Sequence, residues 1–174
     1  EPLIDNLQIT KPLMHDDSSI LNIVDLSKVT LASEGSFAPG NGWQEVKFNQ
    51  PVKARYVGLL AHNAQDEKEI ASIAELYLLD ENGERLSREP WTVLYADSED
   101  TSSKNCTADK VFDLQESTYW KTERHKPFPH YLIIDLGEVH TLTGAQYPPR
   151  MDSQAPGSIK DFQILVSEEL KTNL

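Results

Sequence analysis

Seven short runs limit what this chain can fold into: VKFNQPV, ARYVGLLA, ELYLLD, WTVLYA, HYLIIDLG, TLTGAQY and DFQILVS. Each is apolar or alternating, rich in β-branched and aromatic residues, and too short for a buried helix. Between them lie segments with turn chemistry. PGNG at 39–42, ENG at 81–83, DLG at 135–137 and APG at 155–157 all supply a glycine for positive φ. Seven or more short strands with such punctuation predict an all-β chain folded as a sandwich or jelly roll.

The rest of the chain adds little that competes with this reading. No repeat of fixed period, heptad run or low-complexity tract occurs, so a solenoid or coiled coil is not expected. HNAQDEKEIAS, residues 62–72, is polar and predicts an exposed loop. Residues 1–27 read as an N-terminal extension without clear structure, apart from an apolar cluster from Ile20 to Val24 and a short helix near LNIVDLSK.

Composition narrows the function classes. With 174 residues, 39% of them apolar, the chain is long enough to bury a core without disulfides, and Cys106 is its only cysteine. The net charge of −12 opposes binding to nucleic acid or to an anionic lipid surface, and no basic stripe with interleaved aromatics offsets it. No stretch reaches the roughly 20 apolar residues of a membrane span. The opening EPLIDNLQIT has no export signal and no Met, which suggests a piece of a larger precursor. Nucleophile-elbow, zinc-protease and phosphate-loop motifs are all missing, so catalysis by this chain is not expected.

Three ordered runs carry a more specific signal: ADKVFDLQESTYWKT, PHYLIIDLGEVHTLTGAQYPPRMD and GSIKDFQILVS. They resemble the opening half of the discoidin or factor V/VIII type C family, with Ala108, Phe112, Asp113, Thr118, Trp120, Pro129, His130, Ile134, Asp135, Leu136, Gly137, Tyr147, Pro149, Arg150 and Ser167 at the family's positions. The earlier run from Val29 to Asp80, with ARYV and AELYLLD, resembles the closing half. The reversed order implies either a circular permutation or a cut straddling two tandem domains. The permutation is preferred, because two half-sandwiches would each expose an unpaired core face. It gives one galactose-binding-like jelly-roll sandwich over residues 28–174, similar to family 32 carbohydrate-binding modules and to those appended to bacterial exoglycosidases such as chitobiases. ENGERLSREP would be the new link between the halves.

The same resemblance places the sites. Glu99, the WKTER stretch with Lys121 and Arg124, and Arg150 fall where family sugar contacts lie, and His62 and Asn63 would line the same end of the sandwich. Where sugar binders carry a His and a stacking Trp, this chain has Lys121 and Arg124. If Lys121, Arg124 and Arg150 converge, the pocket suits a carboxylate or sulfate on a sugar better than neutral galactose. Their other reading is structural: Arg150 pairing with Asp152 or Glu99, and Lys121 and Arg124 as solvated charges. Trp91 and Trp120 read as core, and Trp43, beside a glycine turn, as the exposed ring.

A second site is implied by VFDLQEST, where the family turn wraps one structural Ca2+ with oxygens. Asp113, Thr118 and Glu75 would supply side chains, and Lys110 and Gln115 carbonyls; Leu114 stands where the family has Gly. The expected function is a non-catalytic carbohydrate-binding module, secreted, periplasmic or on the cell surface, that targets a covalently linked glycoside hydrolase to its glycan. The alternatives are a structural spacer, or an adhesion module for a protein or lipid partner.

Overall fold

The computed structural model describes residues 24–40, 42–66, 68–150 and 157–170. Among these the regular elements are eight strands and two 3-10 turns: β1 (Thr30–Ser36), β2 (Gln44–Ala61), β3 (Ser72–Ile73), β4 (Tyr77–Leu79), β5 (Thr92–Ala96), β6 (Trp120–Lys121), β7 (His130–Tyr147) and β8 (Asp161–Ser167), with the turns at Leu26–Lys28 and Ala108–Phe112. The all-β expectation holds.

The main sheet has the order β1-β8-β2-β7-β4, and β5 also pairs with β7. Every pairing in it is antiparallel. β2, from the earlier run, lies between β7 and β8, from the later one. Alternation decides which side chains face the core. Val57 and Leu59 of β2, Leu132 and Ile134 of β7, and Phe162, Ile164 and Val166 of β8 all point one way and are buried together.

Across from them lies a thinner layer made of the β3–β6 pair and the 3-10 turn Ala108–Phe112. It contributes Ile73, Trp120, Ala108 and Val111 to the same cluster. Trp120 and Trp91 are 1% and 4% exposed, as expected of core rings, and Trp43 is 41% exposed.

Runs that look separate in the sequence form continuous strands. VKFNQPV and ARYVGLLA are both within β2, and HYLIIDLG and TLTGAQY within β7. The breaks in pattern are register shifts, between Lys47 and Val52 and between Ala54 and Tyr56. Pro51 and Gly137 sit at them. Gly137, at φ 91, bends the strand as a bulge, and its N–H donates to the Asp135 carboxylate. Loop 62–72 is exposed only at its crest, since Ala64, Ile70 and Ala71 are buried.

Of the expected extension 1–27, residues 1–23 lie outside the described residues. Of the expected helix at 21–28, Leu26–Lys28 form a 3-10 turn whose first turn is capped by the Asp25 carboxylate.

Candidate functional site

The segment from Asp97 to Thr107 folds back on β6 and brings polar groups to one place. Asp100 N–H donates to the Lys121 carbonyl, and Lys121 N–H donates to the Cys106 carbonyl, so backbone ladders fix the positions of both side chains. The Lys121 ammonium pairs with the Asp100 carboxylate at 3.1 Å, with the two side chains 17% and 10% exposed. The solvated-charge reading of Lys121 is therefore corrected: it is a half-buried, paired cation. Hydrogen bonds from Ser102, with Lys121 adding its charge, hold Asp100 down to about 2 against the opposing effect of burial.

Arg150 follows the end of β7 and is 8% exposed. Its guanidinium lies 3.8 Å from the centroid of the Tyr119 ring, and Nη2 donates to the Tyr119 hydroxyl at 3.0 Å. Lys104 approaches the same ring at 6.0 Å. Lys121, Arg150 and Lys104 all act electrostatically on the Cys106 thiol, whose pKa is nonetheless pushed up by burial. Three cations thus act on Cys106, two of them, Arg150 and Lys104, over the Tyr119 ring, on a chain of net charge −12.

Glu99 borders the cluster, but its carboxylate is engaged in accepting from Ala108 N–H at 2.6 Å, where it caps the following 3-10 turn. Of the two carboxylates considered for Arg150, Glu99 therefore has this capping role, and Asp152 lies outside the described residues. Arg124 is exposed and makes no ion pair among the described residues, which matches its reading as a solvated charge.

His62 and Asn63 are engaged elsewhere. His62 Nε2 lies 2.9 Å from Gln163 Oε1, and Asn63 exchanges two hydrogen bonds with Asp161. His62 lines a shallow polar depression with Glu34, Ser36, Asp161 and Gln163, and Asn63 is bonded to Asp161 of that lining. These contacts tie both residues to β8. Tyr119, Asp100 and Lys104 were not foreseen, although Tyr119 sits beside the core Trp120 in STYW, where strand alternation turns it outward.

The VFDLQEST turn is closed by side-chain hydrogen bonds. Leu114 takes φ 66, the conformation that Gly supplies in the family. The Asp113 carboxylate accepts from Gln115 N–H at 3.0 Å and from the Thr118 hydroxyl at 2.5 Å, and Thr118 also donates to the Gln115 carbonyl. Lys110 lies one turn earlier, its ammonium 3.7 Å from Asp109.

Glu75 is fully buried. One of its oxygens accepts from Arg88; the other, Oε1, is buried with no hydrogen-bond partner among the described residues. Burial first, with the Asp113 charge adding to it, raises the Glu75 pKa against the pull of Arg88. A buried carboxylate oxygen without a partner, in the field of the Asp113 carboxylate, is the chemistry a hard cation satisfies, so the residues fit. Among the described residues no group of three or more His, Cys, Asp or Glu could hold a metal, so a cage here would combine two carboxylates with neutral oxygens.

Residues 94–173 match the family described as F5/8 type C domain. A curated relative, a protein described as "Sialidase" from Micromonospora viridifaciens, is 37% identical over 75 residues, which make up 41% of this chain and 11% of the relative. The chain thus spans about a tenth of the length of that relative.

Proposed function

We propose, from the match of residues 94–173 to the F5/8 type C domain family, that the chain is a non-catalytic carbohydrate-binding module that holds an attached glycoside hydrolase on its glycan. The observation that carries the reading is the Arg150 guanidinium over the Tyr119 ring at 3.8 Å, with Lys104 on the same ring. A fixed guanidinium fork is matched to a carboxylate or sulfate, or to vicinal hydroxyls, on the rim of a sugar. Tyr119 keeps the fork flat and desolvated, Lys104 and Lys121 add positive potential, and the Asp100 pairing keeps Lys121 from swinging out.

The preferred ligand is an acidic glycan. Weak binding at one such site is offset by tethering, which raises local concentration. A covalently linked hydrolase and a secreted or surface location go with this reading, supported by the likeness to one segment of a protein described as a sialidase. We also propose one structural Ca2+, held by Glu75, Asp113 and Thr118 with the carbonyls of Lys110 and Gln115, which would neutralise buried carboxylate charge and tie the turn to the sheet edge.

The test is a glycan-array screen of the chain and of Arg150→Ala, with and without calcium. Selective binding to acidic glycans that the substitution abolishes supports the proposal. Absence of binding by a folded chain overturns it in favour of a spacer.

A further inference from the structure

Trp43 differs from the other two tryptophans. It is 41% exposed, whereas Trp91 and Trp120 are core residues. An exposed ring at the start of a strand would ordinarily be free to rotate, yet this one is held on several sides. It stacks on Tyr77 of β4, with centroids 5.5 Å apart and planes 18° from parallel. The Arg85 guanidinium lies 3.8 Å from the Tyr77 centroid and 4.6 Å from that of Trp43. Arg85 is held in turn: its Nε donates to Gln146 Oε1 at 2.8 Å, and Gln146 Nε2 donates to Glu45 Oε1 at 2.8 Å. Among the described residues, neither terminal nitrogen of Arg85 is in a hydrogen bond, and the side chain is exposed.

We infer that Trp43, Tyr77 and Arg85 form a second glycan-binding platform, which takes a pyranose with its C–H face on the indole and its hydroxyl rim on Arg85. The chemistry is complete for that class of ligand. An aromatic face matches the apolar side of the ring, and the unused guanidinium nitrogens offer a planar pair of donors at its edge. The hydrogen-bonded series from Glu45 through Gln146 to Arg85 fixes the donors before the ligand arrives, which limits the ordering cost of binding. Trp43 is not among the core residues.

The platform is close to the first site. Gln146 and Arg150 are four residues apart, so their Cα atoms are separated by at most about 14 Å. A chain of several sugars can therefore engage both, and this extension of the inference rests on the Arg150 reading.

The experiment uses a glycan array printed with mono-, di- and longer oligosaccharides, and compares the chain with Trp43→Ala, Arg85→Ala and Arg150→Ala. Trp43→Ala is expected to melt as the parent does and to lose about tenfold in affinity for the longer glycans. The best-bound oligosaccharide is then titrated while acrylamide quenching of tryptophan fluorescence is followed. Because only Trp43 is exposed among the three tryptophans, shielding on binding reports this ring.

Binding unchanged in Trp43→Ala but lost in Arg150→Ala overturns the platform and leaves the first site standing. The opposite pattern supports the platform and removes the first site. Binding that no substitution changes, or no binding to any printed glycan, overturns both.

Discussion

Arg88 donates to the Glu75 carboxylate where the two side chains are 3% and 0% exposed, and the same guanidinium nitrogen also reaches the carbonyls of Leu76 and Val111. The pair thereby joins the segment after β4 to the edge of the 3-10 turn Ala108–Phe112. Removing the cation leaves a carboxylate buried without its partner, a costly change. Arg88→Met is expected to lower stability by about 3 kcal/mol or more, read as a fall in the urea midpoint with an unchanged slope.

Calcium binding has a direct thermal readout. A cation that binds only the folded chain stabilises it by about 2.7 kcal/mol at a hundredfold excess over its dissociation constant. At about 2–4 °C per kcal/mol for a chain of this size, Tm is expected to rise by about 5–10 °C over that measured in EDTA. Asp113→Asn should abolish most of the rise. A melting curve identical in calcium and in EDTA removes the cation from the proposal.

Asp100 sets a pH dependence whose sign follows from its direction of shift. Its folded pKa, about 2, lies below the ordinary 3.8, so the stabilisation it gives is present above about pH 4 and is lost as pH falls towards 2. Asp100 is 7% exposed, and the shift corresponds to about 2 kcal/mol at most. Asp100→Asn should flatten the loss of stability across this window, as measured by denaturation at stepped pH. An equally steep profile in the variant would show that other carboxylates govern the acid limb.

Gly144 lies where β2, β7 and β4 meet. A Cβ added there would stand 2.5 Å from the Val46 carbonyl oxygen, which belongs to backbone held on both sides by the sheet. Gly144→Ala is expected to destabilise by about 1–3 kcal/mol, in contrast to Gly42→Ala, whose Cβ meets nothing within 4 Å. Comparable melting temperatures for the two variants would contradict this.

What could be read from the sequence follows from how local each signal is. Strand alternation and turn glycines are local, so the all-β class and the burial of Trp91 and Trp120 were legible. Strand length was not. Pro51 and Gly137 look like terminators in one dimension, yet β2 and β7 pass through them because neighbouring strands supply enough pairing on both sides to tolerate a bulge.

At the site, Arg150 and Lys121 were visible through the family pattern, whereas their partners Tyr119 and Asp100 became apparent only once segment 97–107 folded onto β6. Arg88 was read as part of a surface link. Its burial depends on Glu75, whose own burial depends on the sheet edge, and no local pattern encodes such a pairing.

The position of β2 in the main sheet also bears on how the chain is made. Tyr56 pairs with Asp135 and with Ser167, so the second partner is synthesised 111 residues later (167 − 56). At about 5–20 residues per second, β2 leaves the ribosome about 5–20 s before that partner exists. During the interval the edge of β2 that β8 will pair stays open, with Val57 and Leu59 lacking their β8 neighbours in the core, and an open strand edge of this kind is where a nascent chain is most exposed to wrong pairing.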